Sequence, residues 1–181
     1  MAWIAERRRR SRFETVVLSH LDAGYALARW LTRNDADAAD VVQEACLRAF
    51  RYFDSYREGD ANSWLLKIER RTCYDWMERN RPADLVPLEP ETDTEGSPHA
   101  PAAAVLDADA LLQNRSDLRR LDQLIEELPP PLREVIVLRE LQELDYRQIA
   151  EVTGVPIGTV MSRLHRARSA LRRAWEGKEC R

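Results

Sequence analysis

Between Pro156 and Arg173 the chain carries five arginines and neither Asp nor Glu. Guanidinium groups bond phosphate oxygens and fork onto the O6 and N7 of guanine, and Ser or Thr at the front of a helix reaches phosphates or base edges. At about 100° per residue, a helix here sets Val160, Leu164, Ala167 and Leu171 inward. Thr159, Ser162, Arg166, Ser169 and Arg173 then point outward, flanked by Arg163 and Arg168. That outer face suits a polyanion, although a merely solvated basic helix would carry the same pattern. A second set, Lys67, Arg70 and Arg71 with Tyr74, reads as the outward face of another helix. Cations beside an aromatic ring are the pairing that holds separated nucleic-acid strands.

Bond-making chemistry is not legible. The three histidines, His20, His99 and His165, are scattered, and no nucleophile–base pair or glycine-rich phosphate loop appears. Cys46, Cys73 and Cys180 lie far apart without Cys-x-x-Cys spacing. No metal, cofactor or small-molecule substrate is therefore expected, and a reducing cytoplasm is the simplest setting. Cys46 reads as a small core residue, and Cys73 as lying on a helix flank.

The elements that position these groups are helical. Residues 145–153 form a short helix stopped by Gly154, which tolerates the positive φ that ends helices. A second begins near Pro156 and Ile157, since proline is accepted in a first turn. Together they make a helix-turn-helix, against which 132–141 should pack. Upstream, apolar residues from Phe13 predict a helix to about Arg33, broken by Asn34 and Asp35. A helix capped by Asp37 or a neighbour then runs to about Phe53, with Val42, Ala45, Cys46, Ala49 and Phe50 on one face and Asp40, Glu44, Leu47, Arg48 and Arg51 on the other. Leu47 is the odd member among charges, either an ordinary exposed leucine or the centre of a partner site. A polar loop spans Asp54–Asn62, and a helix follows from about Ser63 to Asn80. The arginines Arg7–Arg10 and Arg12 read as a solvated helix start.

Hydrophobic residues at 44% are sufficient for cores, and 33% charged residues suit a soluble surface. No apolar run approaches the roughly 18 residues of a membrane span, and no export signal is read. The net charge of −3 conceals a division. Residues 1–81 hold 15 basic and 13 acidic groups, 82–118 hold 1 and 8, and 119–181 hold 12 and 10. The resulting expectation is an all-α chain: a domain at 1–81, an acidic, Pro-rich flexible linker at 82–117, and a helix-turn-helix domain at 118–181 whose first helix is continuous from about Asp117 to Leu128.

Four stretches in order carry a resemblance: DADAADVVQEACLRAF at 35–50, SWLLKIERRTCYDW at 63–76, LPPPLREVIVLRELQELDYRQIAEVTGVP at 128–156 and GTVMSRLHRARSALR at 158–172. Together they resemble the extracytoplasmic-function sigma factors of bacterial RNA polymerase, over nearly the whole chain. The resemblance implies that the first domain grips the polymerase clamp through Asp40, Gln43, Glu44 and Leu47 and opens the −10 element. The loop Asp54–Asn62 would receive a flipped base, Tyr56 would stack, and Lys67, Arg70, Arg71, Tyr74 and Asn80 would line the strand path. Thr159, Ser162, Arg163, Arg166 and Arg168 would contact the −35 duplex. Met161 departs from the Lys or Arg common there, and a thioether donates no hydrogen bond. The implied partners are core RNA polymerase, promoter DNA and an anti-sigma factor, with the acidic linker either passing through the polymerase cleft or serving as a spacer. Two rivals remain: a helix-turn-helix regulator acting without the clamp, which leaves residues 35–50 unexplained, and a sigma-like decoy, which predicts loss of the basic faces.

Overall fold

The computed structural model describes residues 2–57, 59–85 and 108–179. Most of the acidic linker, with His99, lies outside them, as does Cys180. The described residues form helices α1 (Ala2–Val17), α2 (Leu21–Thr32), α3 (Asp35–Tyr52), α4 (Ala61–Asn80), α5 (Ala108–Glu127), α6 (Pro130–Ile136), α7 (Tyr146–Thr153) and α8 (Ile157–Glu179). No strand occurs among them.

Local chemistry sets the boundaries. Asn34 accepts from the backbone N–H groups of Ala36 and Asp37 and so starts α3, where the sequence pointed to Asp37 or a neighbour. Asp60 caps α4 in the same way, and Ser63 Oγ donates to its second oxygen at 2.6 Å. Burial opposes ionisation of Asp60, but these bonds and one from Gln148 hold its carboxyl below the usual range. Asp145 and Gln148 form a reciprocal capping box on α7, and Gly154 closes it at φ 72°. Pro130 takes the first turn of α6, where its missing N–H leaves no bond unmade.

Three boundaries differ from expectation. The helix from Phe13 to Arg33 is broken by a 3-10 turn at Leu18–His20, which lets Val17 pack with Ala49 and Leu65 in a small satellite core. Helix α5 begins at Ala108 rather than Asp117, because no Gly or Pro interrupts 108–128 and good helix formers fill it. The helix from Leu132 widens into a π-type turn at Val137–Leu141.

The main core is continuous across both halves. Leu27, Leu31, Val41, Leu66 and Met77 join Val135, Leu138, Ile149, Val160 and Leu164 in one cluster. Helix α4 packs on α7, and α2 on α6. Arg133, fully buried, ties this junction: Nη1 donates to the Trp30 carbonyl at 3.0 Å and Nη2 to that of Leu128 at 2.6 Å. A cation at the end of α2 complements its dipole, while burial, with Arg33 nearby, pushes the Arg133 guanidinium down to about 10.

Cys73 lies not on a flank but in the core with no exposed surface, and burial raises its thiol. Cys46, half-buried, is raised for the same reason, with the Glu69 carboxylate adding to it. Glu69 is also wholly buried, and neither of its oxygens has a hydrogen-bond partner among the described residues. A Cβ at Gly24 would lie 1.8 Å from Glu69 Oε2, so α2 makes room for this carboxyl with a glycine.

Burial pushes Glu69 up to about 8. Between about 4.5, its ordinary value, and 8 the folded chain holds a proton that the unfolded chain has released, so stability is lost as pH rises through that window. Glu69→Gln is expected to remove this loss, gaining up to about 1.4 kcal/mol over wild type per pH unit. Urea denaturation of both proteins at pH 5.5 and 7.5 measures it; a constant difference between them would mean that Glu69 titrates normally.

Candidate nucleic-acid and partner interfaces

Helix α3 buries Ala38, Val41, Ala45 and Ala49 and leaves the opposite side to solvent. Asp40, Gln43, Glu44 and Leu47 recur there at i, i+3, i+4 and i+7, so they form one stripe, and all four are exposed. Leu47 is 58% exposed among them. Arg48 borders the stripe, bonding Glu44 at 2.9 Å and Asp75 of α4 at 2.5 Å. Those two carboxylates raise the Arg48 guanidinium and fix the angle between α3 and α4.

Beyond α3 the chain turns through Phe53–Ser55 into the polar loop. Tyr56 is half-buried and stacks on Phe53 at 5.9 Å and 14°, meets Trp64 at 5.1 Å, and donates its hydroxyl hydrogen to the Gly59 carbonyl at 3.0 Å. The loop therefore presents a tyrosine locked in an aromatic cluster. Further along α4, Lys67, Arg71 and Asn80 are exposed.

Arg70 and Tyr74 are not outward. Glu134, buried without exposed surface, accepts from Arg70 Nε at 2.7 Å and Nη2 at 3.1 Å. Arg163 of α8 reaches the same carboxylate at 3.6 Å. Tyr74 lies 4.5 Å from the Arg70 guanidinium, and burial, with Glu134 beside it, raises its phenol. The periodicity of α4 finds the side opposite its own bundle core; it does not disclose that the second half of the chain covers part of that side. Arg163 faces inward for the same reason.

Helix α8 buries Val160, Leu164 and Ala167 as its pattern requires, and half-buries Leu171. Thr159, Ser162 and Arg166 are half-buried. Arg168 is exposed and bonds Glu140 at 2.7 Å. Met161, at 53% exposure, and His165 share the open side with it.

Two family models divide along these halves: sigma-70 region 2 matches residues 16–82 and sigma-70 region 4 matches 118–171. The ECF RNA polymerase sigma-E factor of Escherichia coli K12 is 37% identical over 141 residues, covering 75% of this chain and 72% of its own. The chain belongs to the ECF RNA polymerase sigma factors. The ECF sigma factor SigE of Mycolicibacterium smegmatis is 32% identical over 160 residues, which are 88% of this sigma factor but 60% of that relative. Among solved structures, the sigma factor RpoE in complex with the anti-sigma factor NepR from Bartonella quintana matches at a TM-score of 0.66 and 26% identity, covering 91% of this chain and 97% of that one.

Sequence reasoning missed Glu134, the residue on which both halves of this sigma factor converge. Its signal was a charged pair, Arg133 and Glu134, inside the apolar run from Leu132 to Leu138, where each charge needs a partner. Glu134→Gln leaves two guanidiniums facing a neutral amide and is expected to cost about 3 kcal/mol of stability. A double-mutant cycle with Arg70→Gln should give a coupling above about 1 kcal/mol. Additive losses in that cycle would show that the pair is not coupled.

Proposed function

We propose that the chain is a promoter-specificity subunit with no catalysis of its own, working in the cytoplasm on core RNA polymerase. The observation that carries the reading is the α3 stripe: an exposed leucine held among Asp40, Gln43 and Glu44, within the half that matches region 2. Acidic groups around an apolar centre suit docking on a polymerase surface, because the leucine supplies the desolvated anchor and the charges set orientation. Residues 1–81 serve polymerase binding and −10 opening, 118–181 serve the −35 element, and the acidic stretch between them connects the two.

In this reading Tyr56 receives an unstacked base of the −10 strand, and Lys67, Arg71 and Asn80 track its backbone. Arg70 and Tyr74 join that path, and Arg163 joins Thr159, Ser162, Arg166 and Arg168 on the −35 duplex, once Glu134 is released. Clasped, the chain has region-2 and region-4 arginines committed to one carboxylate; opened, it offers both to DNA. The similarity over 91% of the chain to a sigma factor held by an anti-sigma factor supports a partner of that kind for the clasped form.

Run-off transcription from a pool of genomic fragments tests the reading, with core polymerase present throughout and this protein added or omitted. Discrete transcripts that need the protein are expected. Duplex binding without transcripts or polymerase association would instead make it a helix-turn-helix regulator. Leu47→Asp should reduce co-purification with core polymerase by at least tenfold and leave circular dichroism unchanged, since the side chain is exposed. Arg166→Ala should weaken binding to a −35 duplex by about 1–3 kcal/mol if it reads a base. Undiminished affinity would remove it from the interface.

A further inference from the structure

The first two turns of α1 project beyond the bundle. Residues 3–8 are all exposed, and among the described residues the first bond to another element is made by Arg9, whose Nη2 donates to the Phe50 carbonyl at 2.7 Å. Phe13 then packs edge-on against Phe50 and Phe53. The projecting tip is not polar. Trp3 is 69% exposed and Ile4 49%, and Arg7, Arg8 and Ser11 continue the same side of the helix over the next two turns. Single exposed apolar residues are ordinary, whereas an indole beside an isoleucine on a free tip has no packing to explain it.

Charge decides what can cover that tip. Helix α1 holds five arginines and two glutamates. Both glutamates are matched from within, Glu6 by Arg9 at 3.5 Å and Glu14 by Arg10 at 3.0 Å. Arg7 and Arg8 have no carboxylate partner among the described residues, and Arg7 lies 5.3 Å from the Trp3 ring centre. The occupant is therefore anionic, with an apolar layer beyond its charge. Trp3 and Ile4 lead Arg7 and Arg8 by one turn, about 6 Å along the axis. That offset matches the roughly 5–10 Å by which interfacial side chains reach below lipid headgroups, where indole rings also concentrate. An acidic protein would need a concave groove built around a convex tip, and a bilayer surface needs none. No helix among the described residues is long and apolar enough to cross a membrane, so the contact is with the surface alone.

We propose that the amino-terminal end of α1 docks this protein on an anionic phospholipid surface, with Trp3 and Ile4 in the interface and Arg7 and Arg8 among the headgroup phosphates. One short tip and a few arginines give reversible attachment rather than an anchor. The inference goes beyond the sigma-factor reading and does not depend on it.

The test floats the full chain with vesicles of phosphatidylcholine alone and of an equimolar mixture with phosphatidylglycerol, at low and at physiological ionic strength. Binding to the mixed vesicles that weakens with salt, and little to the neutral ones, is expected. Each arginine near such a surface is worth about fivefold, so Arg7→Gln/Arg8→Gln should weaken binding about thirtyfold. Arg7→Lys/Arg8→Lys should stay within about twofold of wild type, because a diffuse charged layer does not require the guanidinium fork. Brominated acyl chains should quench part of the wild-type fluorescence, and that part should vanish in Trp3→Phe. All these side chains are exposed, so circular dichroism should not change. Equal binding to both vesicle types, binding to neither, or quenching that persists in Trp3→Phe would overturn the inference. So would a lysine variant as weak as the glutamine one, which would give the tip to the carboxylates of an acidic protein. Run-off transcription tests the sigma-factor reading separately, and none of these outcomes bears on it.

Discussion

One buried carboxylate governs how the two halves meet. Glu134 has no exposed surface and bonds Arg70 from region 2 while it attracts Arg163 from region 4. Dehydrating three charges is expensive, and a buried ion pair seldom adds much net stability, whereas removing one member strands the others. The energy of association therefore comes from the apolar surface shared by α2, α4, α6 and α7, and the ionic group selects one alignment among those that surface would tolerate. Arg133 works beside it, turning the spare carbonyls at the end of α2 into bonds that only one docking geometry can satisfy.

The same arrangement explains how a DNA-binding chain can keep its basic groups quiet. Arg70 and Arg163 keep only 22% and 17% of their side chains exposed and face a buried carboxylate, so in the proposed reading their attraction for phosphate grows with a change in packing. Lys67 and Arg71, by contrast, are exposed to solvent. The chain thus carries two populations of positive charge, and their division follows the interface between halves rather than the motifs that contain them.

Much of this was legible from residue order. Gly154, Pro156 and the spacing of Val160, Leu164 and Ala167 announced the helix-turn-helix, because those signals act within one or two turns. Leu47 stood out for the same reason, as an apolar residue on a charged stripe. Arg70, Tyr74 and Arg163 depart from the local pattern because the carboxylate they gather around, Glu134, lies 64 residues from Arg70 and on a different helix from Arg163, beyond the reach of helical periodicity. Glu69 was invisible on similar grounds: its oxygens fit only because position 24, on another helix, lacks a side chain. The break at Leu18–His20 likewise serves the satellite core of Val17, Ala49 and Leu65, which no local pattern describes.

Gln148 shows how such distant demands fix a single atom. Its Oε1 accepts from the Asp145 backbone at 2.9 Å to complete the box on α7, while its Nε2 donates to Asp60 Oδ2 at 2.8 Å, at the head of α4. Capping rules accept Glu or Gln equally at that place. Here a glutamate would set like charge against Asp60, so only the amide can serve both helix starts. Substitutions at 60 and 148 are consequently bound together: an acid at one position is compatible with a donor at the other, and an evolving lineage must exchange the two roles jointly or open the contact.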